Sequence, residues 1–581
     1  MPDTQTILEG LLSEAVARAF GSEFADADPI LRQATNPKFG DYQANLAMGL
    51  AKRLNQKPRD IADAIKEKLT LGDAITAAEV AGPGFINLTL NPELLASQLA
   101  LMFQSDRLGV TKTDPPAKVV VDYASPNLAK EMHIGHLRST IIGDAIARVL
   151  EFQGQDVIRH NHIGDWGTQF GLLLEHLIET GWADSTDSSI SDLNILYQEA
   201  KVRDDNDAGF AERARKRVVD LQSGEPQARK IWEMLIVESI RHMNQVFSSL
   251  GVQLTDDHLK PESFYNDRLS SVVEAIENAG MIRDLKGAKV VYVDGFIDKE
   301  GEPLPMAIQK SDGGFGYPAT DLAAAHYRVV DLKADRVVYV VDSRQKDHFR
   351  QFFKVAEDVG WLKNGSELVH VGFGTIMGAD RKPFKTREGG TVKLADVLDE
   401  AVDRAGKVIA EKARDLSPEE RDAIARVVGV GAVKYFDLSN DRIKDYVFDW
   451  DRMLALEGNT APYLQNAYVR IRSIFRKGEV DPASMTGKEI KLDQDAERAL
   501  ALQLLQLPRI IDSVADSLEP HRLCTYLYEL AASFHKFYEK CPVLAADSDA
   551  RRDSRLALCD LVARTLKQGL ELLGIDTVER M

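Results

Sequence analysis

The run Lys-Val-Val-Val-Asp-Tyr at 118–123 constrains this chain more than any other stretch. It is short, apolar and β-branched, the pattern of a parallel strand buried on both faces. A long helical pattern follows. Leu137, Ile141, Ala145 and Val149 recur every four residues, and Ile142, Ile146 and Leu150 line the adjacent stripe. "QDVIRHNHIGD" at 155–165 then reads as the next strand. Strand, helix, strand predicts an open parallel sheet of the nucleotide-binding type. Such sheets bind ligands beyond the carboxyl end of a strand, where a helix N-terminus offers unpaired N–H groups and partial positive charge.

"SPNLAKEMHIGHLRST" at 125–140 occupies that place. His133 and His136 are three residues apart, so they fall on the same side of the first turn. Gly135 between them removes a side chain and lets a flat ligand approach the backbone. Two imidazoles, a helix N-terminus and bare backbone make a cradle for ATP. The plainer reading of an isolated histidine here is a cap or a surface residue. Four histidines (His133, His136, His160 and His162) also raise zinc. The chain has no HExxH, however, and no Cys or carboxylate stands at ligand spacing on that helix, so no metal-ligating residues are expected.

At 581 residues the chain exceeds one domain, and three or four are expected. Residues 1–112 mix helix and strand, with "AAEVAGPGFINLTL" (77–90) a strand, turn and strand, and "TNPKFGDYQANLAMGLAKRL" (35–54) a turn followed by a helix. The sheet domain spans 113–395, with a charged helical insertion over about 170–290. Its alternation resumes at "ADRVVYVVDS" (334–343), a helix from Gln345 to Glu357, and "LVHVGFGTI" (368–376). Helices continue through a connecting region, 396–456, and a last domain, 457–581. The net charge of −18 argues against nucleic-acid affinity over the whole surface but leaves room for local basic stripes. The three cysteines, Cys524, Cys541 and Cys559, form no CxxC pair, which fits a reducing, cytoplasmic setting. No run of 18 apolar residues predicts a membrane span, and the first residues read as an amphipathic helix rather than a signal peptide.

The stretch 121–171, "VDYASPNLAKEMHIGHLRSTIIGDAIARVLEFQGQDVIRHNHIGDWGTQFG", closely resembles the catalytic core of arginyl-tRNA synthetases, a class I aminoacyl-tRNA synthetase family. His133-Ile134-Gly135-His136 matches the HIGH motif of that class. Ser-Pro-Asn before it and "HIGDWGTQFG" after it point to the arginine enzymes. The resemblance runs from "NPKFGDYQANLA" to the closing "LELLGIDTVERM". It implies a multidomain α/β protein: a Rossmann-type parallel-sheet catalytic domain with a helical insertion, a small α+β N-terminal domain, and an all-α anticodon-binding domain at the C-terminus.

The activity so implied joins L-arginine to tRNA(Arg) in two steps. The arginine carboxylate displaces pyrophosphate from ATP, with Mg²⁺ on the leaving phosphates, and the 2′-hydroxyl of the terminal adenosine then takes the arginyl group. Positioning and charge neutralisation suffice, and no nucleophilic Ser or Cys is needed. The family commonly activates arginine only with tRNA bound, and many members are monomers. A guanidinium needs carboxylates and planar acceptors, because a buried unpaired cation is costly. Asp122 at the strand end and Asp321 fit, with Tyr317 four residues before Asp321. In the family, the positions of Asp122, Asn127, Tyr317, Asp321 and Gln345 surround arginine. The second ATP motif, KMSKS, is replaced by "MGADRKPFKTREGGTVKL" (377–394), where Lys382, Lys385 and Arg387 are the candidate cations. Lys130, just before the histidines, takes the place of a lysine proposed to substitute in such members.

For RNA, "PYLQNAYVRIRSIFRK" (462–477) sets Tyr468, Arg472 and Arg476 on one helical face beside an apolar stripe. A tyrosine among arginines suits an unstacked base and its phosphates. "NPKFGDYQAN" (36–45) looks like the N-terminal domain's signature for the outer corner of tRNA, with Phe39 and Tyr42 as contacts. Two rivals remain at this point: an HxGH nucleotidyltransferase acting on a small acceptor, and a non-catalytic tRNA-binding paralogue.

Overall fold

The computed structural model describes residues 3–34, 36–181, 193–362, 365–384 and 392–581. The N-terminal unit is a four-stranded antiparallel sheet in the order β1-β2-β4-β3, with β1 Arg32–Gln33, β2 Tyr42–Ala44, β3 Ile75–Ala81 and β4 Phe85–Leu90. β2 lies inside the stretch read above as turn and helix; three residues give too short a pattern to detect. Helices Thr4–Phe20, Leu46–Leu54 and Pro58–Lys68 accompany the sheet, their buried faces forming one core with it.

The central sheet is parallel, in the order β11-β10-β5-β6, with β5 Lys118–Asp122, β6 Asp156–His160, β10 Arg336–Asp342 and β11 Glu367–Phe373. Side chains alternate along β5. Val119, Val121 and Tyr123 join the core of the helix Leu137–Gln153, hereafter the histidine helix, while Val120 joins that of the helix Tyr317–His326. Contact with the first is intimate: a methyl at Gly143 would sit 2.2 Å from the Tyr123 Cβ. Register sets Tyr339 of β10, Asp122 of β5 and His160 of β6 side by side, on the Val120 face.

The insertion is not helical throughout. After helices Leu193–Asn206, Ala208–Ser223, Pro226–Leu250 and Asn266–Asn278 it closes with an antiparallel sheet, β7 Ile282–Leu285, β8 Ala288–Ile297 and β9 Pro303–Gln309. Lys286 and Gly287 both have positive φ, the two-residue hairpin geometry whose twist matches its strands. Val291 and Val293 are buried while Tyr292 is exposed, an alternation that the helical reading overlooked.

Two short strands, β12 Ile376–Met377 and β13 Tyr446–Val447, pair in parallel and tie the central-sheet domain to the connecting helices. Beyond them helices Ala461–Gly478, His521–Lys540 and Asp549–Leu572 pack together, sharing a continuous core with the histidine helix. Arg498 grips the buried Asp41, joining the helical unit to the N-terminal one. Among the described residues no helix is long and apolar enough to cross a membrane.

Candidate active site

At the carboxyl edge of β5 and β10 lies a cleft of about 480 Å³. His133, Gly135 and His136 form one wall, Pro383 and Phe384 another, and Asn127 and Gln345 stand in it too. The histidines precede the α-helix in a tight turn, Ile134–His136, and cap one another. The Gly135 N–H donates to His133 Nδ1 at 3.0 Å, and the His133 N–H donates to His136 Nδ1 at 3.1 Å. An Nδ1 that accepts is unprotonated, so a neutral ring carries its hydrogen on Nε2. Burial first, then the neighbouring His133 and Lys130, push the His136 imidazole down to about 3, and burial with Lys130 lowers His133 as well. The cradle therefore holds two uncharged donors. Gly135 acquires a second reason: a Cβ there would meet the His133 ring at 2.7 Å.

Of the cations expected to help, Lys130 and Lys382 are described, and Lys130 acts on both histidines. The Lys130 ammonium rests 4.1 Å from the centre of the Tyr197 ring of the insertion. Lys382 is exposed in a tight turn, its carbonyl accepting from the Gly378 N–H at 2.7 Å. Lys385 and Arg387 lie outside the described residues.

A second cluster is acidic: Asp122 and Asp321 both act on His162, and Asp321 acts on Glu262. Tyr317 and Asp321 open the helix Tyr317–His326. His348 Nε2 lies 2.6 Å from one Asp321 oxygen and His162 Nε2 4.0 Å from the other, and the Tyr317 ring meets the His348 ring at 4.8 Å. Asp122 is different from what its position implied. It is 5 % exposed, and the guanidinium of Arg328, itself fully buried, lies 3.0 Å from its Oδ2. Arg328 Nε also donates to His160 Nδ1 at 3.2 Å, and its guanidinium stands 5.0 Å from the Tyr339 ring centre. One buried cation thus grips the whole row Tyr339–Asp122–His160. Burial and that cation hold His160 neutral, down at about 2. Asp122 therefore faces the neighbouring residues of this cluster with one oxygen already engaged by a cation of the protein itself.

Glu262 was missed. It opens the short turn Glu262–Tyr265, whose Tyr265 ring meets the His162 ring at 5.3 Å. Burial, then Asp165 and Asp321, push its carboxyl up to about 8. Its signal in the sequence, one acid after Lys-Pro in a charged insertion, is not distinctive.

On the RNA side two tyrosines are misassigned. Tyr42 is 2 % exposed in the N-terminal core, its hydroxyl accepting from Gln506 Nε2 at 2.6 Å, so it cannot stack on a base. Tyr468 is 5 % exposed and donates to Glu579 Oε1 at 2.8 Å. Arg472 Nε reaches Glu579 Oε2 at 2.9 Å, and Arg476 Nη1 donates to the Glu579 carbonyl at 2.9 Å. The three residues share a helical face as drawn; Glu579 takes up Tyr468 and Arg472, while Arg476 stays exposed. An open groove of about 1070 Å³ lies on the next face, where Arg470, Arg476 and Lys477 meet Lys412, Tyr538 and Arg580. The Arg470 guanidinium stands 5.8 Å from the Tyr538 ring centre. Phe39 is exposed on its turn.

The family model described as "tRNA synthetases class I (R), catalytic domain" matches residues 98–450; "DALR anticodon binding domain" matches 464–581 and "Arginyl tRNA synthetase N terminal domain" matches 6–90. An arginine–tRNA ligase of a Synechococcus species is 52% identical over 576 residues, 98% of each chain. That of Thermobifida fusca is 51% identical over 583 residues, 100% of each. Among solved structures, arginyl-tRNA synthetase from Plasmodium falciparum superposes with a TM-score of 0.87 at 30% identity over 100% of both chains. The Thermus thermophilus arginyl-tRNA synthetase gives 0.80 at 27% identity, over 99% of this chain and 100% of that one.

Proposed function

The chain belongs to the arginyl-tRNA synthetases, and from that premise we propose how its own residues divide the work of an arginine–tRNA ligase. The enzyme joins arginine to tRNA at the expense of ATP. ATP lies in the cleft of the histidine turn. His133 and His136, neutral, turn their Nε2–H groups on the triphosphate, so they stabilise the charge that develops without competing with the substrate's own cation. Mg²⁺ arrives as part of MgATP. Asp342, the carboxylate among the described cleft residues, already accepts from the Arg344 N–H and side chain, which leaves the metal to the phosphates.

The observation that carries the reading is the acidic cluster around Asp321, with Tyr317 and Glu262 close to it. Asp321 receives the guanidinium, with Tyr317 over it and Glu262 as a second carboxylate that ionises when the cation arrives. Asn127 and Gln345, which line the cleft, hold the α-carbon end so that the carboxylate attacks the α-phosphate in line. Asp122, paired with Arg328, fixes the wall between β5 and β6. The adenylate is then passed to the terminal adenosine of tRNA(Arg). The anticodon arm occupies the Arg470–Lys477–Tyr538 groove, and Phe39 meets the outer corner of the tRNA. We divide the chain at 112, 395 and 456 and expect a cytoplasmic monomer. A nucleotidyltransferase or a non-catalytic paralogue is not favoured, since full-length relatives are ligases.

Arginine-dependent ATP–pyrophosphate exchange, measured with and without tRNA(Arg), tests the assignment. Exchange in at least one condition is expected; folded protein giving none in either would sink it.

A further inference from the structure

Arg138 is the second residue of the histidine helix, and it is 1 % exposed. A cation so deep has to be paired. Its Nε lies 3.1 Å from Oδ2 of Asp437 and 3.4 Å from Oδ1, and Asp437 is itself fully buried at the end of the helix Pro418–Leu438. Nη1 donates to the Lys444 carbonyl at 3.1 Å. The guanidinium stands 5.2 Å from the Tyr446 ring centre and 5.7 Å from that of Phe373. Arg138 also lines the nucleotide cleft, and its buried Nη2 has no hydrogen-bond partner among the described residues.

These partners lie where the second wall of the cleft begins. The chain around 442–448 runs along residues 372–377 like an added strand. Arg442 Nη1 donates to the Gly372 carbonyl at 2.9 Å, the Gly374 N–H to the Arg442 carbonyl at 2.8 Å, the Thr375 N–H to Asp445 Oδ1 at 2.6 Å, and the Phe448 N–H to the Met377 carbonyl at 2.9 Å. Residues 372–377 lead on to Pro383 and Phe384, which face the histidines. Residues 392–394 bond directly to the histidine turn: the Ile134 N–H donates to the Val392 carbonyl at 3.0 Å, and the Leu394 N–H to the Met132 carbonyl at 3.0 Å. Residues 392–394 are thus fastened to the histidines by backbone. Residues 372–377 are fastened to 442–448, and Arg138 ties that segment to the histidine helix.

We propose that Arg138 is a positioning residue for the nucleotide: by holding Asp437, the Lys444 carbonyl and the Tyr446 ring together, it sets the distance between the histidine turn and the stalk at 372–377. The proposal rests on the assignment of ATP to this cleft. It separates Arg138 from a residue that merely stabilises the fold, because it acts on one substrate. The arginine pocket is walled by β5, β6 and the helix Tyr317–His326, none of which Arg138 joins to the stalk.

The test is pyrophosphate exchange with tRNA(Arg) present, titrating ATP and arginine separately, beside thermal melts. Arg138→Met and Asp437→Asn should each raise KM for ATP by at least about tenfold while KM for arginine moves by less than about twofold. Arg138→Lys should fall between, since an ammonium lacks the fork that reaches both the carboxylate and the carbonyl. The double variant Arg138→Met, Asp437→Leu removes the orphaned charge and covers the case in which a single variant does not fold. It should regain Tm yet keep the raised KM for ATP. Equal rises in both KM values, an unchanged KM for ATP, or full recovery in the double variant would each overturn the proposal. His136→Ala is the control: if it too leaves ATP use unchanged, the ATP assignment itself has failed, and Arg138 is not the point at issue.

Discussion

Glu262 gives the sharpest test of the amino-acid pocket. In the empty enzyme its carboxyl titrates at about 8, raised by burial and by the negative neighbours Asp165 and Asp321. At pH 7 such a group is about nine-tenths protonated. A guanidinium seated on Asp321 reverses the local charge, so Glu262 ionises on binding, and each arginine releases about 0.9 proton at pH 7. The affinity then has a definite sign with pH. Below pH 8 the proton has to be expelled before the ion pair forms, so binding weakens as pH falls. The limiting slope is tenfold per unit, and because the group is half protonated at pH 8 the change between pH 8 and pH 6 is about 50-fold, roughly 2.3 kcal/mol. Above pH 8 this group adds nothing more. The same proton acts oppositely on stability. The unfolded chain ionises Glu262 near 4.5 and the folded one near 8, so its contribution is present at low pH and lost as pH rises through that window.

Titration calorimetry at pH 6, 7 and 8, in buffers of different ionisation enthalpy, counts the proton directly. Glu262→Gln should abolish the release and flatten the pH dependence of arginine Kd, leaving ATP binding unaltered. Binding without proton release at pH 7, or release that persists in the Gln variant, would refute the placement of Glu262 against the substrate.

His136→Ala should lower turnover by on the order of 10²–10³, the loss of one transition-state donor. Because burial keeps that ring neutral down to about 3, the wild-type rate should show no inflection from it near pH 6.5. Asp321→Asn should raise KM for arginine by on the order of 10²-fold, from a cation left unpaired, and leave KM for ATP in place; equal effects would remove Asp321 from the guanidinium. Arg470→Ala should raise KM for tRNA and lower its salt dependence by about one ion. Arg472→Ala, which only frees Glu579, should leave the salt slope alone, and a matching loss would restore that face as the RNA contact.

What could be read from the sequence was what spacing encodes. The β-branched run, the four-residue period after it and the histidine turn are local patterns, and they located the sheet edge and its cleft. Tyr317 and Asp321, one helical turn apart, fell on one face as expected. What could not be read was pairing between distant segments. Asp122 reads as an acid at a strand end until Arg328, two hundred residues later, is brought against it by the β10-β5-β6 register. Tyr468, Arg472 and Arg476 do share a face, but a helical wheel carries no information about Glu579, which takes up Tyr468 and Arg472. Tyr42 sits in a three-residue strand, where inward and outward positions are separated by a single residue.

Those long-range pairs follow one physical rule. Among the described residues three cations are no more than 1 % exposed, and each lies at a seam. Arg328 spans adjacent strands at the arginine pocket, and Arg138 joins the histidine turn to the stalk of the second wall. Lys434, in the helix Pro418–Leu438, donates to the Leu250 carbonyl at 2.6 Å and the Gly574 carbonyl at 2.5 Å, binding the end of the helix Pro226–Leu250 to the C-terminal segment. Burial drives its ammonium down to about 8, so it is held there at a cost. Buried ion pairs contribute little net stability compared with apolar packing of the same volume. Their directional bonds, however, distinguish one register from the next, as apolar contacts do not. A catalyst that works by alignment loses rate to shifts of an ångström. The buried cations at these joints are therefore better explained by the geometry that they enforce than by the folding energy that they supply.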